Sequence, residues 1–174
     1  QLNAGDSDSS TGGVVSITTG KGSGDTGSGA MTITTANQDL GTSSISGALF
    51  LTTGTATGDT GDITLETGSS TNGQAGNIIL SVGSTEIGDG ADYTIAAGNS
   101  KVGVGGSVFV TSGYSTSGSS GAIEIETVNS GANGVSGPIT INTGVSQNGN
   151  SSAVSIFSGS SDESGGAISL SVGT

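Results

Sequence analysis

The sequence predicts an all-β fold of one kind. It is a β-solenoid (β-helix) with coils of about 15 residues, about 11 coils, a narrow cross-section and no helices. Three observations predict it. A six-residue phrase (apolar, any, apolar, any, small, glycine) begins at Ile63, Ile78, Tyr93 and Val108, at steps of 15. Apolar and other positions alternate within it with period two, as a strand requires. The phrase also returns along nearly the whole chain, which is the mark of stacked repeats.

The first apolar position is filled by Val15, Met31, Leu49, Ile63, Ile78, Tyr93, Val108, Ile123, Ile139, Val154 and Ile168. The second is filled by Ile17, Ile33, Leu51, Leu65, Leu80, Ile95, Val110, Ile125, Ile141, Ile156 and Leu170. The columns beginning at Val15 and Ile17 are expected to face inward. The small position, from Ala4 and Thr19 to Ser158 and Val172, is expected on the same face. The glycine that closes the phrase, replaced only by Ala36 and Val128, is expected to turn the chain at positive φ. A second glycine recurs five residues later, at Gly73, Gly88, Gly103, Gly118 and Gly149. Before it stand Ile87 and Val102, and Leu40 in an earlier coil, read as a second inward position.

Leu2-Asn3-Ala4-Gly5 matches the last four letters of the phrase. The organisation is therefore a single array over residues 1–174: a partial first coil over 1–13, then coils from 14 to 174. No polar cap stands at either end. The expectation is a segment of a longer array, or a subunit that stacks end to end. At about 4.8 Å per coil, 11 coils would make a rod of roughly 50 Å. Hairpins in a meander fit poorly, because no second set of apolar strands supplies another layer. A flexible Gly/Ser tract fits poorly too, because it need not keep Ile, Val and Leu in register. Leu80→Asp is expected to disrupt the rod by placing a charge in a dry column.

Composition excludes several function classes. The chain has 174 residues, 35 of them glycine, and a formal net charge of −12. Its only basic residues are Lys21 and Lys101, so no phosphate-binding patch can be built and no nucleic-acid partner is expected. No apolar run is long enough to span a bilayer, so no membrane insertion is expected. The absence of Cys and His removes disulfides, thiolate sites, His ligands and His-dependent catalysis. No catalytic residue, enzyme activity, cofactor or required metal is expected. Asp59, Asp62 and Asp89, in Gly-Asp segments, are the nearest approach to a calcium site. Glu124 and Glu126 share a face, but no cleft is implied for glycoside hydrolysis.

The outward columns supply the candidate contacts. Phe50, Ile79 and Phe109 occupy one outward column and Phe157 the next, a candidate lateral docking stripe. Asn150-Ser151-Ser152 is an N-glycosylation acceptor motif, placing a candidate glycan on Asn150. Ser16/Thr18 and Thr32/Thr34 form short outward hydroxyl rows.

Those rows give a limited similarity to insect β-solenoid antifreeze proteins, in which a regular Thr array is implied to bind ice. Phe50, Glu66, Ile79, Phe109, Glu124, Glu126 and Phe157 interrupt the array here. The chain more fully resembles the Gly/Ser/Thr-rich β-solenoid repeats of algal and protist cell-surface proteins. Gly24-Asp25-Thr26-Gly27-Ser28-Gly29, Gly118-Ser119-Ser120-Gly121-Ala122-Ile123 and Gly165-Gly166-Ala167-Ile168-Ser169-Leu170-Ser171 carry that resemblance. It implies an extracellular or cell-surface structural protein, part of a fibre, appendage or coat. End-to-end and lateral self-association would then be its partnership. Ice binding is the alternative function, and a glycan-binding adhesin the third.

Overall fold

A computed structural model describes residues 2–8, 11–23, 27–36 and 45–173. Asp25, Asp39, Leu40 and the 24–26 part of the first resemblance segment lie outside the described residues. Among the described residues there is neither helix nor strand. The predicted all-β β-solenoid is therefore corrected: the described residues are irregular coil with recurring local turns. The absence of helices is as expected, but the strands and their stacking are not formed.

The backbone hydrogen bonds show why. A solenoid needs bonds from phrase to phrase, 15 residues apart. The bonds present close the loops between phrases instead. In the unit Gln1–Gly83, Gly13 N–H donates to Gly5 C=O at 2.8 Å and Gly29 N–H to Gly20 C=O at 3.1 Å. In the unit Ser84–Thr174, Gly106 donates to Gly98 and Gly121 to Gly113, each at 2.9 Å, and Gly166 to Gly159 at 3.2 Å. Each acceptor is the glycine that ends one phrase, and each donor lies two residues before the next. Beyond that one bond the phrases make no backbone pair among the described residues.

A second device bends the polar half. Ser70, Ser100 and Ser115 each accept, through Oγ, the N–H of the glycine three residues on, at 3.1, 2.9 and 2.9 Å. These are local side-chain turns, which Ser and Gly favour because the hydroxyl imitates a backbone acceptor and glycine admits the tight path. The longer step between Ile123 and Ile139 is absorbed by a further turn. There Gly134 N–H donates to Gly131 C=O at 3.1 Å, and Ser130 Oγ donates to Gly134 C=O at 2.9 Å.

Two expectations about glycine and burial are corrected as well. Among the described residues Gly88 alone has positive φ, at 106°, so the phrase-ending glycines do not turn the chain that way. Ile87 and Val102 are 92% and 100% exposed, so they are not inward positions.

No described residue is buried. The accessible surface is 17399 Å², whereas a folded monomer of 16.3 kDa exposes roughly 7,500 Å². Each coil has two large apolar residues with no facing layer, so their burial cannot offset the entropy of ordering 15 residues rich in glycine. The apolar columns accordingly do not form an interior. Leu80 is 62% exposed, so the disruption expected of Leu80→Asp has no dry column to act on.

The alternation nevertheless survives. The first apolar position is 48–66% exposed and the second is more exposed in every one of the eleven copies. The outward Phe50, Ile79, Phe109 and Phe157 are 79–89% exposed. Among the described residues the small position supplies most of the half-buried places, Ala4, Thr19, Thr35, Ala97, Ser112 and Thr143; Gly22 and Ser115 are the others.

Candidate interaction surface

Five of the half-buried small residues, Ala4, Thr19, Thr35, Ala97 and Ser112, lie against the glycine two residues before the next phrase; Thr143 does not, because Ser152 stands at that place. A Cβ built on Gly13 would lie 3.2 Å from the Ala4 Cβ and 3.1 Å from the Gly5 nitrogen. On Gly106 it would lie 3.3 Å from the Ala97 Cβ and 3.1 Å from the Gly98 nitrogen. Gly29, Gly47 and Gly121 stand in the same relation to Thr19, Thr35 and Ser112, at 3.6–3.7 Å. Close approach of backbone to side chain favours glycine at Gly13 and Gly106, whereas a Cβ at Gly29, Gly47 or Gly121 would make ordinary packing contacts. The phrase-ending glycines Gly5, Gly20, Gly54, Gly68, Gly83, Gly98 and Gly113 meet nothing within 4 Å.

The pre-phrase glycine is a structural signal that the sequence pattern also carries. It recurs at Gly13, Gly29, Gly47, Gly61, Gly76, Gly106, Gly121, Gly137 and Gly166. Its recurrence two residues ahead of nearly every phrase could have marked it.

This scaffold presents side chains outward and encloses almost none. Phe50 and Ile79 are exposed in the unit Gln1–Gly83, and Phe109 and Phe157 in the unit Ser84–Thr174. Ser16, Thr18, Thr32 and Thr34 are exposed, and among the described residues no flat sheet holds them. Asn150 is exposed beside an open groove of about 500 Å³ that also takes in Thr143, Val145, Ser146 and Gly149.

Asp59, Asp62, Asp89, Glu124 and Glu126 are all exposed. Among the described residues no three His, Cys, Asp or Glu side chains gather as a metal-holding group. No helix among them is long and apolar enough to cross a membrane. The chemistry on display is a hydroxyl-rich, acidic surface interrupted at regular intervals by uncovered Ile, Leu, Val and Phe. Comparison with protein-family models, curated proteins and solved structures finds no match.

Proposed function

We propose that this chain is a structural, non-catalytic repeat segment of an extracellular or cell-surface material, a fibre, appendage or coat, built by self-association. One observation carries the reading. Twenty-two apolar positions recur at a nearly constant period, yet among the described residues none is buried. A period kept through eleven copies is costly to expose and useful when many copies meet. The excess surface, roughly 10,000 Å² over a folded monomer of this mass, is several times the roughly 1,600 Å² of a standard protein interface.

Other features support the same reading. The resemblance to Gly/Ser/Thr-rich surface repeats implies such a setting. Asn150 is exposed, as a glycan acceptor must be. The Ser/Thr-rich exterior suits a hydrated coat. Ice binding takes second place, because that chemistry needs hydroxyl rows held flat and regular, and Ser16/Thr18 and Thr32/Thr34 have no sheet beneath them.

Sedimentation velocity over a concentration series, with electron microscopy of the same samples, tests the proposal. Growing assemblies are expected. A chain that stays monomeric at every accessible concentration would remove it.

A further inference from the structure

We propose that four segments, each with a large apolar residue added at an outward position, are where copies of this chain join, by backbone pairing of like segments between molecules. The segments are 48–53 around Phe50, 77–82 around Ile79, 107–112 around Phe109 and 153–158 around Phe157. The inference rests on the self-association proposed above and adds where and how it happens.

The first observation is two-sidedness. In a phrase such as Ile63 to Thr67, Thr64 and Glu66 occupy the alternate positions, so one apolar face needs covering. Leu49-Phe50-Leu51, Ile78-Ile79-Leu80 and Val108-Phe109-Val110 carry large apolar groups on both sides, and Ile156-Phe157 nearly so. Phe50, Ile79, Phe109 and Phe157 are 83%, 79%, 89% and 86% exposed. Covering both sides requires layers on both sides, which one neighbouring loop cannot supply.

The second observation is the backbone. Among the described residues none of these four segments makes a backbone–backbone hydrogen bond. Their N–H and C=O groups are open to a partner strand along each edge, the ordinary template for strand addition. A partner has to bring an extended backbone and apolar groups at matching spacing. A second copy of the same segment brings both.

The third is charge. At a net charge of −12, copies repel one another, and in-register stacking would set like charges side by side. The four segments contain no Asp, Glu, Lys or Arg, and no Pro to interrupt pairing. Short, uncharged, β-favouring segments are the kind that form dry interfaces between like strands. Ile123-Glu124-Ile125-Glu126 has the same apolar alternation with two carboxylates, so like-on-like stacking there is opposed. This joining differs from coil-on-coil stacking within one chain, which the structure does not show.

The test uses the full chain and a variant with Phe50→Thr, Ile79→Thr, Phe109→Thr and Phe157→Thr. Threonine already holds the equivalent place at Thr32, Thr64 and Thr94 for the first three and at Thr34 and Thr52 for Phe157, and none of the four residues is buried, so no core is lost. The native chain should assemble, and oriented assemblies should diffract at about 4.8 Å along the fibre and about 10 Å across it. The variant should need at least roughly tenfold higher concentration, from the apolar area removed. In hydrogen exchange on the assembled native chain, amides of the four segments should be protected while those of 123–126 exchange. Assembly of the variant at the native concentration, or native assemblies without the 4.8 Å spacing, would overturn the inference and leave self-association standing. A native chain that never assembles would overturn both.

Discussion

The polar halves and the apolar phrases of this chain behave in opposite ways. Among the described residues the polar halves hold nearly all of the internal hydrogen bonding: Gly103 N–H to Ser100 Oγ, Gly118 N–H to Ser115 Oγ, and the loop closures at Gly13, Gly106 and Gly121. The phrases hold the Ile, Val and Leu that ordinarily drive folding, and they remain exposed. The difference is one of range. A serine and a glycine three residues apart meet at little entropic cost. Two phrases 15 residues apart must order a whole glycine-rich loop before either buries anything. Among the described residues local polar chemistry therefore shapes the chain, and the apolar phrases are left uncovered.

The largest expected effect bears on the phrases. At pH 7 the chain carries −12, and its isoelectric point is near 4.1. Lowering the pH protonates carboxylates and removes negative charge, so repulsion between copies falls. Light scattering should rise steeply as the pH approaches 4.1, and added salt at pH 7 should act in the same direction by screening. Scattering that is flat across both series would mean that charge does not hold the copies apart.

Next comes the loop closure. Gly106→Ala places a Cβ 3.1 Å from the Gly98 nitrogen and 3.3 Å from the Ala97 Cβ. The bond from Gly106 to Gly98 should open, at a local cost of about 0.5–1.5 kcal/mol. Faster exchange of the Gly106-position amide would report it. Gly98→Ala meets nothing within 4 Å and should leave that amide unchanged. Equal effects from the two variants would erase the distinction between tight and roomy glycines.

Gly88→Ala forces a side chain onto a backbone at φ 106°, a conformation costing on the order of 1–3 kcal/mol for a non-glycine residue. The turn at 86–88 should rearrange, seen as chemical-shift changes confined to its neighbours. The smallest effect is expected from Ser100→Ala. It removes the acceptor for the Gly103 N–H, but the site is exposed and water can replace it, so about 0.5 kcal/mol is expected. The temperature dependence of the Gly103 amide shift should become that of a solvated amide. No change there would mean that the serine does not hold the turn.

Much of the local pattern was legible in the residues. The alternation of Ile78, Ile79 and Leu80 reappears as a graded exposure of 48%, 79% and 62%. The second glycine, Gly103 or Gly118, marks a real bend, although its partner is the preceding serine and Val102 does not turn inward. The pre-phrase glycine was passed over because steric need depends on what lies opposite. Ala4 lies opposite Gly13 only after the chain has looped back. The four candidate lateral contacts were legible as exposed apolar groups, but their alignment into a stripe rested on stacked coils.

By itself the sequence determined the period, the order of turn and phrase, the acidic charge and the alternation of faces, because each arises between residues a few positions apart. The tertiary structure decided whether phrases pair with one another within the chain. Period-two alternation offers a face without supplying anything to cover it. A strand exists only when its N–H and C=O groups meet another backbone. Among the described residues those groups find glycine at the loop ends and no partner along the phrases, so a pattern that reads as a solenoid is there an open coil.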